Sequence, residues 1–379
     1  MRALGRALCL SLGLTVAGCQ SPAGPSSNPS APAAPAASVV PVSQSATAAP
    51  TALAVGALPA PLNPPVTVRV GLLGAITDAG IFIALDRGYY RDLGLDVQVE
   101  TITDPNTNTT LVSTNQLDVG GAGVDANPFH AAARGVGLKM VADKGRFFPG
   151  FGFSGVVVRQ DLLDSGQVSS WADMRGRTIA QLSPCDSSEP PLARGYERGG
   201  FSHDDVNVVY MGLPDMNVAL ANKAIDAAWQ IEPLMTLAKE RGIAGKFAPG
   251  DELYPNQQIA AIFYSPEFAK RTDAAQRFMV AYVRGLRDYN DAFRKGINRA
   301  EIAQILAKYT TVKDLALYDR ITPAGLDPDG RMNVQGVRDD LAFFARQGCI
   351  TGEIADVGQV VDESFIDYAV GVLGPYQRQ

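Results

Sequence analysis

Val66, Val68, Val70 and Leu72 alternate with polar or small residues, the two-residue period of a strand. The loop 74–78 then opens a helix over 78–90 that stops around Gly88. A strand over 95–101, a helix over 106–114 and a strand over 138–142 follow. Between the last two lies the stretch that organises the pattern, NQLDVGGAGVDANPFHAAARG, residues 115–135. It reads as a turn, a short strand over 117–120, a glycine-rich loop and a helix opening at Asn127 and Pro128. Asn127 suits the N-cap and Pro128 the first helical position. Gly120, Gly121 and Gly123 let the backbone come close to something placed over the loop. Strands alternating with helices predict a parallel sheet with helices on both faces, and ligands sit at the strand ends of such sheets.

A looser copy follows in NKAIDAAWQIEP, residues 222–233: Asn115-Gln-Leu-Asp118 is echoed by Asn222-Lys-Ala-Ile-Asp226, then a loop, then proline. Taken singly, these Asn and Asp residues fit a turn-making role and a ligand loop equally well. As a pair they predict two similar lobes, each lending a loop to one cleft. RFFPGFGFSG, residues 146–155, gathers Phe147, Phe148, Phe151 and Phe153 around a proline and glycines. Strands are expected over 156–159, 178–183, 206–211, 226–229 and 259–264, with a helix near 192–199. From Pro266 onward the chain reads as helical. Phe278, Tyr282, Leu286, Tyr289 and Phe293 share one helical face, which is expected to be core. Further helices are expected over 301–309, 334–346 and 358–372. The domain reading is lobe one over 66–155 plus 264–373, lobe two over 156–263, and a tail over 374–379.

The 379 residues suit two domains, and 46% hydrophobic against 19% charged residues permits large cores. The net charge is −6 and no basic cluster occurs, which excludes nucleic acid as the expected partner. Arg2 and Arg6 precede an apolar run over 7–17 that is too short to span a bilayer, and Val16-Ala17-Gly18-Cys19 resembles a bacterial lipobox. Residues 1–18 are therefore expected to be a signal peptide, with Cys19 lipidated. Residues 20–65 carry no charge and are rich in Pro, Ala and Ser. With Cys19 they read as a disordered tether of about 35–45 Å end to end. Of the other cysteines, Cys9 leaves with the signal. Cys185 and Cys349 remain, and an exported compartment permits their bridging while chain order alone leaves free thiols equally open. His130 and His203 have no metal-ligand spacing, and no G-x-S-x-G, Walker A or H-E-x-x-H motif occurs. No catalytic residue, metal or cofactor is expected.

Strand, loop and AGIFIALDRGYY over 68–90, RDLGLDVQV over 91–99, NQLDVGG over 115–121, WADMRGRTIA over 171–180 and NKAIDAAWQIEP over 222–233 come in a specific order. Over about 66–373 the chain resembles the solute-binding proteins of ABC importers for alkanesulfonates, taurine, nitrate and thiamine-pyrimidine precursors, a family with a riboflavin-binding member. The resemblance implies an α/β, type II periplasmic-binding-protein fold: two β/α lobes joined by crossover strands, with a helical C-terminal region. It implies a monomer that closes on a small molecule and hands it to an ABC permease and its ATPase. The place would be the extracytoplasmic face of the cell membrane, held by the lipid on Cys19. Gln20 stands where a retained Gram-negative lipoprotein often has Asp, which points to a single-membrane cell or another sorting rule. Fungal thiamine-pyrimidine synthases resemble the family too, but of their cysteine-rich iron motif only Cys185 has a counterpart here.

Ligand contacts are expected at strand-end loops. Thr77 and Asp78 stand before the first helix, where they could bind or merely cap. Gly121, Gly123 and Asp125 offer backbone groups and a carboxylate. Ser183, Asp186, Ser187 and Ser188 form the matching loop of lobe two. Trp229 could stack on a planar ring and Glu232 accept from its N–H groups, with packing beneath the sheet as the alternative for Trp229. Tyr210 ends a strand, and Phe148 stands for the apolar wall near the hinge. An anion site needs donors and a cation, yet these loops carry Asp78, Asp125, Asp186 and Glu232, with Lys144 and Arg146 the nearest cations. The balance favours a planar, N–H- or hydroxyl-bearing ligand, riboflavin first and a thiamine pyrimidine next, over a sulfonate, taurine or nitrate.

Overall fold

The structure, a computed structural model, describes residues 56–377 apart from 103, 351 and 354. The segment expected to be a signal peptide and Cys19 lie outside the described residues. Among those described, strands β1 (Val66–Leu72), β2 (Leu95–Thr101), β3 (Val119–Gly123), β4 (Lys139–Arg146), β5 (Ser154–Arg159), β6 (Thr178–Gln181), β7 (Asn207–Tyr210), β8 (Ala227–Ile231), β9 (Ala244–Pro249) and β10 (Gln258–Tyr264) form two five-stranded sheets. The orders are β2-β1-β3-β10-β4 and β7-β6-β8-β5-β9. Strand for strand they match, so the α/β two-lobed architecture with a helical C-terminal region holds.

The internal repeat has a physical basis in its aspartates. The Asp118 carboxylate accepts from the Arg69 amide at 2.9 Å, and the Asp226 carboxylate accepts from the Thr178 amide at 2.9 Å. Each aspartate amide donates back to the same neighbour, Arg69 or Thr178. Each aspartate carbonyl accepts from the antiparallel strand beyond, from Ser265 and from Arg159. The turn before each aspartate holds a residue in the left-handed region, Asn115 at φ 60° and Lys223 at φ 60°. NQLD and KAID are thus one device that starts the central strand of each sheet and ties it to both neighbours.

Several boundaries move. Both sheets are mixed rather than parallel, because β10 and β5 run antiparallel to the strands beside them. β10, assigned from sequence mostly to lobe two, belongs wholly to the first sheet. The crossovers are therefore 147–153 and 250–257. Residues 56–65, assigned to the tether, dock on lobe one: the Gly56 amide donates to the Val372 carbonyl, and the Leu62 amide to the Leu93 carbonyl. The tail also packs, with the Tyr376 hydroxyl donating to Asp291 at 2.6 Å. The last predicted helix is broken into Val357–Val360 and Ser364–Leu373.

The long helix Thr272–Lys295 carries the aromatic face. Phe278, Tyr282, Leu286 and Tyr289 are buried, and Phe293 packs partly buried on Tyr289. The buried hydroxyls of Tyr282 and Tyr289 donate to the Asp143 and Ala324 carbonyls, as burial of a polar tip requires. Against it lies the helix Ala79–Asp86, so close that a Cβ on Gly285 would stand 2.1 Å from the Gly80 carbonyl oxygen.

Candidate functional site

At the end of β1, Thr77 and Asp78 lie in a buried turn, and their partner comes from β4. Lys144 has a fully buried side chain, with Nζ 2.8 Å from Asp78 Oδ1 and 3.0 Å from Thr77 Oγ1, to which it donates. Asp78 also accepts from the Ala75 amide. Gly121 has no side chain because the lysine stem fills that space: a Cβ there would meet Lys144 Cε at 2.4 Å. The object over this glycine is the protein's own cation. Thr77, Asp78 and Gly121 therefore form a neutralised, closed group beneath the cleft.

Trp229, Glu232 and Phe148 are likewise occupied. Trp229 on β8 is 6% exposed and packs on Phe147, ring centroids 6.3 Å apart. Phe147 and Phe153 are core, while Phe148 is partly buried under Arg146 at 4.7 Å. Glu232 is buried, pairs with Lys246, and accepts from the Thr236 and Thr322 amides. These contacts use both carboxylate oxygens.

The other predicted residues come together between the lobes. Gly123 ends β3 beside the loop after β6, where a Cβ on it would lie 3.3 Å from Ser187 Oγ. Asp125 is 7% exposed and accepts from the Asn127 amide at 2.8 Å. Asp125, rather than Asn127, thus serves the helix Asn127–Ala133, of which Asn127 is the first residue. Burial first, and then the charge of Asp186 on the other lobe, push the Asp125 carboxyl up to about 7. Asp186 accepts from the Ser183 and Ser188 amides and from the Ser188 hydroxyl, and burial raises its pKa despite these bonds. Tyr210, 44% exposed, ends β7 nearby and is raised by burial and then by the charges of Glu189 and Asp186. Asp125, Asp186, Glu189 and Tyr210 thus form an acidic, donor-seeking patch shared by both walls.

Sequence reading missed two members. Gln257, fully buried in the second crossover, donates to the Ser187 carbonyl at 2.9 Å and to Asp340 at 3.1 Å. Its Oε1 has no partner among the described residues. The polar run Asn256-Gln257-Gln258 just before an apolar strand was the available signal. Glu189, which opens the helix Glu189–Arg198, has its Oε2 3.8 Å from Cys349 Sγ. Cys185 and Cys349 are bridged, with Cα atoms 5.7 Å apart. The ligand atoms of Cys185, Glu189 and Cys349 lie within 4.8 Å of one another, but bridged sulfurs are not the thiolates that bind metal. Two surface concavities of about 440 and 360 Å³ lie away from this patch, lined by residues such as Leu62 and Lys270, and Tyr90 and Leu95.

A family model described as NMT1/THI5 like matches residues 76–291. A protein of Brucella abortus (strain 2308), named only as a binding protein, is 24% identical over 299 residues, covering 78% of this chain and 85% of its own. Among solved structures, the zinc-bound ligand-binding component of an ABC-type import system from Staphylococcus aureus has a TM-score of 0.67 at 13% identity, covering 80% of this chain and 99% of that one. The alkanesulfonate-binding protein from Xanthomonas axonopodis pv. citri bound to MOPS has a TM-score of 0.62 at 20% identity, covering 78% and 98%. Both share the two-lobed periplasmic-binding-protein fold. With the matched segment spanning more than half of the sequence and both lobes, the chain belongs to the NMT1/THI5-like family.

Proposed function

We propose that this chain is the solute-binding component of an ABC import system, lipid-anchored at Cys19, and that its ligand is a small N–H-bearing molecule of the aminopyrimidine kind. The carrying observation is the meeting of Asp125 and Asp186 from opposite lobes, close enough for one charge to raise the other's pKa. A sulfonate or nitrate placed between them meets two carboxylates, while Lys144 and Lys246 are engaged by Asp78 and Glu232. An N–H-rich ligand accepts from neither and donates to both. Riboflavin, the first sequence expectation, needs free aromatic faces. With Trp229 packed on Phe147, the exposed aromatic at this wall among the described residues is Tyr210, which favours one small ring over a flavin.

Thermal unfolding of the full chain in detergent, with 4-amino-5-hydroxymethyl-2-methylpyrimidine, riboflavin, taurine and nitrate in parallel, tests the ligand class. The pyrimidine is expected to raise the midpoint without being turned over. Asp125→Asn is expected to weaken it about tenfold or more, the scale of one hydrogen bond to a charged group. Protection by taurine or nitrate alone would sink the ligand class, and turnover would replace transport by catalysis. Cys19→Ala is expected to move the protein from the membrane fraction to the soluble one; unchanged partition would remove the anchor.

A further inference from the structure

Two crossovers carry the chain between the lobes, but a third covalent link joins them elsewhere. Cys185 sits in the loop after β6, in the second lobe. Cys349 follows the helix Val334–Arg346 and packs against a cluster that holds Val337, Leu341 and Phe344 with Val124, Phe129 and Phe263 of the first lobe. We propose that the Cys185–Cys349 disulfide is an inter-lobe latch that keeps the two walls of the cleft together and limits how far they part.

The argument rests on where the bridged residues stand. Cys185 immediately precedes Asp186, and the cluster holding Cys349 includes Val124, the neighbour of Asp125. A rotation that parts Asp125 from Asp186 therefore carries Cys185 away from Cys349. A disulfide confines its Cα atoms to about 4.4–6.8 Å, and this pair stands at 5.7 Å. The tie beside it among the described residues is reversible, the Gln257 hydrogen bond to the Ser187 carbonyl, with Gly123 close enough that a Cβ on it would lie 3.3 Å from Ser187 Oγ. With the bridge intact, exchange of ligand proceeds through small movements around it. Without it, the walls separate as far as the crossovers and reversible inter-lobe contacts such as Thr322 to Glu232 and Arg320 to Glu240 allow. Because Asp186 follows Cys185 in the chain and Asp125 follows Val124 of the cluster against which Cys349 packs, the latch also sets their spacing before any ligand arrives, which lowers the cost of ordering them.

Hydrogen exchange read by mass spectrometry on the full chain in detergent tests this without any ligand, so its outcome is separate from that of the proposed ligand class. Three samples are compared: the untreated protein, the protein reduced with a phosphine, and Cys185→Ser/Cys349→Ser. On breaking the bridge, amides of both walls are expected to exchange faster together by about tenfold or more. These are Ser183 and Ser188 on one side and Val124 and Asn127 on the other; amides of β1 and β2 should keep their protection. Acceleration confined to 182–189 would make the bridge a local loop brace and overturn the latch, as would no change at all. Alkylation of both cysteines in the untreated protein overturns it as well. If the serine variant does not fold, the reduced native chain carries the comparison.

Discussion

Lys144→Ala should destabilise the protein by about 3–5 kcal/mol, the scale of breaking a buried ion pair by removing one partner. The whole lysine side chain is out of water, as is that of Asp78. Truncation would leave the buried Asp78 carboxyl with only the Ala75 amide and the water that the vacated space admits. It would also remove the stem that fills the room left by Gly121. Two further variants separate the contributions. Lys144→Met keeps most of the stem and loses the charge. Lys144→Met with Asp78→Leu removes both charges, and should recover much of the loss because a well-packed apolar pair replaces a buried ionic one with little penalty. Urea unfolding of the four proteins checks this. A cost below about 1 kcal/mol for Lys144→Ala, the range of exposed pairs, would show that water reaches the site and that Asp78 is available to a ligand.

The two-lobed fold was legible because its repeat is local. NQLD and KAID each combine a turn residue that tolerates the left-handed region with an aspartate that binds the next strand's amide, and these needs act within a few residues. The aromatic face over 278–293 was legible for the same reason, since helical period and burial go together. The mixed sheets were not. Whether a strand runs parallel or antiparallel depends on which neighbour it meets, and β10 returns to the first sheet from a point more than a hundred residues beyond β3. Assigning β10 to the nearer lobe followed chain order, whereas the structure follows hydrogen bonding.

The candidate site divides along the same line. Gly123 and Asp125 follow β3 of one sheet and Asp186 and Ser187 follow β6 of the other, non-equivalent strands, and they meet because both loops lie at the strand ends where the lobes face each other. Asp78, Glu232 and Trp229 also end or follow strands, and pattern alone gave them equal standing. What removes them is a partner distant in sequence: Lys144 for Asp78, Lys246 and Thr322 for Glu232, Phe147 for Trp229. A carboxylate at a strand end is a ligand group only if no buried cation already answers it. Of the four acids named from the loops, Asp125 and Asp186 are the two whose facing charge is another acid.

Reduction of Cys185–Cys349 should lower the free energy of unfolding by about 2–5 kcal/mol. The bridge spans 164 residues, and for a loop of that length the chain-entropy relation gives about 5 kcal/mol as a ceiling. Residual structure in the unfolded chain draws the observed value below it. The direction of the denaturant slope provides an independent check: an unfolded chain freed of the tie exposes more surface, so the urea m-value should rise as the midpoint falls. Cys185→Ala/Cys349→Ala should reproduce both changes, and a reductant should then have no further effect. Equal midpoints for oxidised and reduced protein would mean that closing the long loop contributes nothing. The bridge could then matter only for the motion of the lobes. A lower midpoint with an unchanged slope would instead place the effect in the folded state, where loss of the tie lets the acids of the two walls move apart.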